Sequence, residues 1–306
     1  MKLIKPNFWK TNNLLVYLIW PLTILTRILI IFKNHKTVYK SNISSICVGN
    51  IYLGGTGKTP LVIKLNQILK KKYKTYVIKK YYKNQIDEQK LLLKNTKLIL
   101  PKKRIDGIKQ IEKSKKNIAI FDDGLQDKSI KYSISIVCFS SAAGIGNGNI
   151  LPAGPLRESL SEIKNYDLVL INGHKNPSLE KKIRFYKKNI KIFYSKYYLK
   201  NKNEFNSKSK YLAFCGIGTP ENFFNLLKEN KIKVTKKMIF PDHYNYKMVD
   251  INKIKSFAKK NKLKIVTTEK DFMKIKEFKN IKVNFTSVDL LIKNNLMFRK
   301  FILKNL

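Results

Sequence analysis

Cysteine, histidine, glycine and acidic residues are all scarce in this 306-residue chain. The three cysteines, Cys47, Cys138 and Cys215, stand singly inside apolar runs with no Cys-x-x-Cys spacing. That excludes a disulfide framework, and with only three histidines elsewhere it excludes a zinc site; buried thiols in a reducing compartment fit instead. Asp and Glu total 20 against 63 Lys and Arg, a formal net charge of +43. Such an excess suggests an anionic partner: nucleic acid, lipid or an acidic substrate. The lysines are scattered rather than striped, however, and Lys, Asn and Ile are abundant everywhere, which reads as compositional drift. Against that background the exceptions are informative. Five arginines remain: Arg27, Arg104, Arg157, Arg184 and Arg299. Where lysine fills most basic positions, an arginine marks a place for bidentate guanidinium contact with phosphate or carboxylate. The adjacent acids Asp122 and Asp123 stand out for the same reason.

Of the 13 glycines, four fall within GNIYLGGTGKTP, residues 49–60. Before it, ISSICV (43–48) reads as a short buried strand. After it, TPLVIKLNQILKKK reads as an amphipathic helix with Leu61, Ile63, Leu65, Ile68 and Leu69 on its apolar stripe. Strand, glycine loop and helix form the setting of a phosphate cradle. Gly54, Gly55 and Gly57 allow close backbone approach, so that N–H groups around Thr56 can face an anion. The helix N-terminus adds partial positive charge. Lys58 is placed to reach the outer phosphates and the Thr59 hydroxyl to sit on Mg²⁺. The usual G-x-x-x-x-G-K-T pattern has glycine where this chain has Tyr52. A plain glycine-rich turn of an α/β protein is the competing reading.

Residues 14–32, LLVYLIWPLTILTRILIIF, are mostly apolar, with Arg27 the only charge. At ~1.5 Å per residue a helix here just reaches across a hydrocarbon core, and Pro21 is expected to kink it. Lysines flank both ends (Lys2, Lys5 and Lys10; Lys33, Lys36 and Lys40), so the charge rule gives no orientation. An in-plane helix on anionic headgroups is as good a reading as a span. Further along, TYVI (75–78), NIAIF (117–121), SISIVCF (133–139) and YDLVLIN (166–172) read as buried parallel strands with helical crossovers. A second block follows, with strands at 211–215, 263–268 and 282–286 and helices around 220–230, 249–261 and 288–304. The expected architecture is α/β: a parallel sheet carrying the phosphate loop and flanked by helices, then a smaller α/β lobe. The boundaries drawn are 1–36 for a membrane-associated helix, 37–200 for the nucleotide lobe and 201–306 for the second lobe.

Four further stretches carry chemistry. FDDGLQ (121–126) sets two carboxylates at the carboxyl end of a buried strand, where phosphate-loop enzymes keep an Asp for Mg²⁺. AAGIGNGNILPAGPLRE (142–158) is a long glycine-bearing loop ending in Arg157 and Glu158, suited to wrapping a ligand. FPDHYNY (240–246) contains His243 beside Asp242, read as following a helix. VTTEKD (266–271) reads by itself as a helix cap with a solvated charge cluster.

In this order, GNIYLGGTGKTP, FDDGLQ, LPAGPLRE, CGIGTPENFF, FPDHY and TTEKD resemble the tetraacyldisaccharide 4′-kinases of lipid A synthesis. The similarity runs from residue 46 to about 275. It includes a glycine loop without the first glycine of the generic pattern, and an apolar N-terminal helix. The resemblance implies an ATP- and Mg²⁺-dependent kinase acting on the 4′-hydroxyl of an acylated diglucosamine 1-phosphate glycolipid. It implies work at the cytoplasmic leaflet of a bacterial inner membrane, with no nucleic acid and no obligate protein partner. Lys58 would stabilise the β- and γ-phosphates, with Gly54, Gly55, Thr56, Gly57 and Thr59 forming the cradle. Thr59, Asp122, Asp123 and Glu158 would serve the metal, and Arg157 would neutralise phosphoryl charge. His243 matches the histidine that pairs with an aspartate to activate the sugar hydroxyl, and IDEQ (86–89) offers Asp87 as that aspartate and the candidate base, with His243 taking the proton or supporting Asp87 in doing so. Arg104 corresponds to an arginine that contacts phosphate. The family's Ser-Arg-Gly-Tyr-Gly reads KKYYK (79–83) here, and its histidine after DDGLQ is Asp127. A phosphate-loop NTPase switch, a basic nucleic-acid binder and a kinase that has lost its base are the alternatives. The chain lacks the Asn/Thr-Lys-x-Asp motif of guanine readers and a clustered basic face.

Overall fold

The computed structural model describes residues 6–11, 13–33, 38–83, 85–278 and 281–306. Lys2, Lys5 and Lys36 lie outside the described residues, as do the side chains of Arg27 and Lys33. Two compact units emerge. The larger contains Lys5–Tyr81, Asn95–Lys196 and Leu291–Leu306; the smaller contains Tyr82–Lys94 and Tyr197–Leu290.

Short apolar runs form a sheet of eight strands, most of it in the larger unit. Their order is Val288–Ile292, Lys191–Leu199, Leu168–Asn172, Ile134–Ser140, Ser45–Gly49, Asn117–Asp122, Lys74–Lys79 and Leu98–Ile99. The central pairings are parallel, and the strands Ser45–Gly49, Asn117–Asp122 and Ile134–Ser140 are buried at every position. A parallel sheet covered on both faces requires such continuous apolar runs rather than alternation. Ser45–Gly49 lies between Asn117–Asp122 and Ile134–Ser140, so its carboxyl end opens beside that of Asn117–Asp122. Ligands bind at this edge in open α/β sheets. The helix Lys58–Leu69 returns over the sheet and buries Leu61, Val62, Leu65 and Leu69.

The N-terminal apolar segment is two helices, Leu14–Ile19 and Leu22–Lys33, interrupted at Trp20-Pro21 as proline requires. Among the described residues no helix is long and apolar enough to cross a membrane. Leu14, Leu15, Tyr17, Leu18, Leu22 and Leu25 are all more than half exposed. The segment is tied to the loop 142–158: Trp9 Nε1 donates to Pro152 O at 3.0 Å, Thr26 Oγ1 to Leu151 O at 2.7 Å, and Asn147 N to Trp9 O at 2.8 Å.

The smaller unit is built on a parallel sheet ordered Lys233–Ile239, Lys210–Cys215, Lys264–Thr268, Asn284–Thr286. The helices Pro220–Glu229 and Met248–Lys260 pack with it through two apolar clusters. All three cysteines are free and buried.

Several sequence expectations need correction. The boundaries at 36/37 and 200/201 are not those of the fold. Tyr82–Lys94 groups with the C-terminal sheet, where Lys90 and Lys94 of the helix Ile86–Asn95 meet Glu277 and Glu269, both at 2.8 Å. Leu291–Leu306 groups with the larger unit, where Phe298 packs edge-on against Phe193. The expected helix at 288–304 is a strand, Val288–Ile292, followed by a helix, Asn295–Lys304. Asn294 at φ 55° makes the turn between them. The strands Lys191–Leu199 and Lys233–Ile239 escaped the sequence reading because lysines interrupt their apolar pattern. The second of these precedes His243, so that histidine follows a strand and not a helix.

Candidate active site

Within the larger unit, the loop after Ser45–Gly49 is held from inside by Asn50, whose Nδ2 donates to Tyr52 O at 2.6 Å and Gly54 O at 3.0 Å. Gly54 (φ 131°) and Gly57 (φ 91°) occupy the left-handed half of backbone space, which a Cβ disfavours. Gly57 is the residue from which the helix Lys58–Leu69 starts. Tyr52, the departure from the generic pattern, is buried and bridges Leu156 of LPAGPLRE. Leu53 N donates to Pro155 O at 2.8 Å and Arg157 N to Ile51 O at 2.7 Å. Backbone hydrogen bonds thus dock the Arg157 loop onto the phosphate loop, and Tyr52 and Leu156 share one apolar cluster.

Asp122 ends its strand with 0% exposure, and its Oδ2 accepts from Lys79 Nζ at 2.9 Å and from Thr59 Oγ1 at 3.4 Å. Its Oδ1 is buried without a hydrogen-bond partner among the described residues. Asp123 takes the left-handed conformation (φ 59°) and meets Arg157 Nη1 at 2.9 Å and Lys58 Nζ at 3.7 Å. Burial works to raise the Asp123 carboxyl, but Lys58, Arg157 and Lys79 hold it below the usual range. Glu158 differs. Tyr166 Oη donates to its Oε1 at 2.5 Å and Gln126 Nε2 at 2.9 Å, yet burial still pushes its carboxyl up. Among the described residues no three acidic, histidine or cysteine side chains converge as a ligand group, so Asp122, Asp123 and Glu158 are not gathered into one. Arg104 is buried, pairs with Asp127 Oδ2 at 3.2 Å and donates to Asp123 O at 2.5 Å. It braces the acidic turn.

The smaller unit holds a second cluster. His243 sits at φ 55° in the turn after Lys233–Ile239, its N–H shared between Gly216 O at 3.2 Å and Asp242 Oδ1 at 3.0 Å. Its Nδ1 lies 3.1 Å from Asp87 Oδ1 and 3.2 Å from Oδ2. Asp87 is buried in the first turn of the helix Ile86–Asn95. The two residues are 156 positions apart in sequence. Lys274 Nζ reaches Asp87 Oδ2 at 3.2 Å; Lys270 Nζ reaches it at 3.5 Å, along with Glu88 at 3.2 Å, Asp242 at 3.4 Å and His243 Nε2 at 3.5 Å. Burial works to raise the Asp87 carboxyl, but the His243 hydrogen bond and both ammonium groups hold it well below the carboxylate range. Burial works the other way on Lys270, and its ring of carboxylates nevertheless holds it above the usual lysine value.

These two lysines lie on the helix Glu269–Ile275, whose N-cap is Thr268, accepting from Asp271 N at 3.1 Å. The cap expected at TTEKD is therefore present, but the charges are not solvated. Asp271 has 0% exposure and the Lys270 and Lys274 side chains only 17% and 12%. Sequence reasoning missed Lys274, Glu88 and Lys79. Lys79 carried a readable signal, since it ends a buried parallel strand, where the register sets it opposite an aspartate. Lys274 was hidden among dozens of solvated lysines.

The family LpxK, tetraacyldisaccharide-1-P 4′-kinase, matches residues 15–306. A tetraacyldisaccharide 4′-kinase of Pelagibacter ubique is 41% identical over 303 residues, covering 97% of this chain and 96% of its own. One from Rickettsia bellii is 33% identical with both chains covered in full. The crystal structure of LpxK from Aquifex aeolicus, described as in complex with ATP, superposes with a TM-score of 0.72 at 24% identity. It covers 95% of this chain and 99% of that one, and so shares its α/β fold. By the family match and these full-length relatives, the chain belongs to the tetraacyldisaccharide 4′-kinase family.

Proposed function

We propose that this chain transfers the terminal phosphoryl group of ATP to the 4′-hydroxyl of an acylated diglucosamine 1-phosphate, the precursor of lipid A. The observation that carries the reading is the Asp87–His243 pair at 3.1 Å, formed despite the altered sequence around Asp87, in a chain that also bears a phosphate loop. An NTPase switch has no use for such a pair, and a kinase without its base would lack it.

In the reaction the hydroxyl oxygen bonds to the γ-phosphorus, the bond to the β-phosphate oxygen breaks, ADP leaves, and the hydroxyl proton goes to the protein. Asp87, held far below the usual carboxylate range, is a weak proton acceptor. Its chemistry is instead to accept the Nδ1–H of His243, which leaves Nε2 as the proton acceptor, the division of labour found in hydrolase triads. Lys58 and Arg157, now engaged with Asp123, are the cations that would neutralise phosphoryl charge in a loose transition state. The oxygen donors of Asp122 and Thr59 suit Mg²⁺, and the unpartnered, buried Asp122 Oδ1 fits a site completed by a cation or its water. Bound there, Mg²⁺ would supply further charge neutralisation on the phosphates.

The apolar surface of the N-terminal helices supports work at a membrane, and we assign the chain to the cytoplasmic face of the inner membrane, where its substrate's sugar would lie. Dispersed lysines would add attraction to anionic headgroups of about 1 kcal/mol for each residue near the surface. The test is transfer of label from terminally labelled ATP to a detergent-dispersed acylated disaccharide 1-phosphate. The expected result is labelled glycolipid. Label released only as inorganic phosphate would favour the switch.

A further inference from the structure

Lys79 is used by no step above, yet it is among the most enclosed charges in the molecule. Its side chain is 2% exposed and that of its partner Asp122 is 0% exposed. The parallel register sets Lys79 opposite Asp122, and Nζ lies 2.9 Å from Oδ2. An ammonium so enclosed persists only with a fixed counter-charge.

Its position differs from that of the other two cations at the site. Lys58 and Arg157, 14% and 25% exposed, both reach Asp123 and retain access to solvent. Lys79 lies deeper and meets Asp122 at 2.9 Å. The two oxygens of Asp122 are thereby made unequal. Oδ2 accepts from Lys79 and, at 3.4 Å, from Thr59, while Oδ1 has no hydrogen-bond partner among the described residues. The sequence departure at KKYYK, which begins with this lysine, thus sits directly behind the carboxylate assigned to the metal.

We propose that Lys79 is a positioning residue of the nucleotide site: it fixes Asp122 with Oδ1 available and, by its charge, keeps that carboxylate from capturing a divalent cation before nucleotide arrives. Like charge at this range in a poorly solvated setting opposes Mg²⁺ strongly. The nucleotide's phosphates then supply the missing negative charge, so metal and nucleotide enter together. This rests on reading Asp122 as serving Mg²⁺. The readout below requires no phosphoryl transfer, so its failure is separate from failure of the kinase assignment.

The experiment is Mn²⁺ binding to the full-length protein at pH 8 by electron paramagnetic resonance, with and without a non-hydrolysable ATP analogue. Wild type should bind Mn²⁺ weakly alone and at least tenfold more tightly with the analogue. Lys79→Met should gain at least tenfold in Mn²⁺ affinity without nucleotide, and Lys79→Arg, which keeps the charge, should match wild type. Adding Asp122→Asn to Lys79→Met should abolish the gain. Thermal melting identifies any variant that fails to fold. Tight Mn²⁺ binding by nucleotide-free wild type would overturn the proposal without any variant, as would unchanged affinity in folded Lys79→Met.

Discussion

Replacing Asp87 by Asn separates the two roles of the buried pair in the smaller unit. The amide keeps the shape but removes a negative charge that three cationic or ionisable groups face: His243 Nδ1 at 3.1 Å, Lys274 at 3.2 Å and Lys270 at 3.5 Å. Lys270 retains Glu88 and Asp242, whereas Lys274 retains, among the described residues, only Asp271 at 3.6 Å. Breaking a buried ion pair costs about 3–5 kcal/mol. With the volume conserved and Lys270 still compensated, the loss should fall at the lower end, about 3 kcal/mol at pH 7. The Asp87 carboxyl is depressed in the fold, so its contribution is present above the unfolded value of ~3.9 and is lost as pH falls through the folded value. The difference between wild type and variant in urea unfolding should therefore narrow below about pH 4. Turnover should drop by about 10²–10⁴, the usual worth of a positioned acid–base group, because an amide no longer fixes the His243 tautomer. Nucleotide affinity should be unchanged, since the phosphate loop belongs to the other unit. A variant with transfer within threefold of wild type and unaltered stability would refute this account of the pair.

Three other outcomes follow from the geometry. Glu158→Gln keeps an oxygen that can accept from Tyr166 and Gln126, and because the raised Glu158 carboxyl makes ionisation costly in the fold, the variant should be at least as stable as wild type at pH 8, with the advantage fading toward pH 4.5 in denaturant titrations. Gly146→Ala forces a side chain into φ 59° with its Cβ 2.6 Å from Trp9 O and Pro155 Cγ, so it should lose more than the about 1–2 kcal/mol of the left-handed conformation alone, read as a lowered melting temperature. Leu15→Glu with Leu18→Glu, at 52% and 69% exposure, should reduce co-flotation with anionic vesicles while leaving nucleotide affinity intact; undiminished flotation would remove the N-terminal helices as the membrane contact.

The elements legible in the sequence were those whose signal is local. Buried parallel strands announce themselves as unbroken β-branched runs, and Ser45–Gly49, Asn117–Asp122 and Ile134–Ser140 all do so. The glycine loop and the Thr268 cap are local chemistry as well. What stayed hidden depends on distant partners. Nothing near residue 90 says that its helix belongs with a sheet more than a hundred residues away, because that grouping rests on Lys90, Lys94 and their glutamates. The strand Lys233–Ile239 bears lysines that lend it no apolar period. Compositional drift hid the buried lysines in the same way: Lys79, Lys270 and Lys274 have the same letter as the solvated majority, and only a carboxylate brought within 3.5 Å distinguishes them. Arg104 was legible by its rarity, while its partners were not: its guanidinium holds Asp127 and the Asp123 carbonyl.

The proposed transfer requires both the phosphate-loop residue Lys58 and the Asp87–His243 pair. Its most direct test compares wild type, Lys58→Ala and His243→Ala in the labelled-ATP glycolipid assay, with nucleotide affinity measured in parallel. The account predicts that both variants lose transfer by at least 10²-fold, with nucleotide binding weakened only in Lys58→Ala. Full lipid labelling by His243→Ala, or ATP hydrolysis by wild type with no labelled lipid, would contradict it.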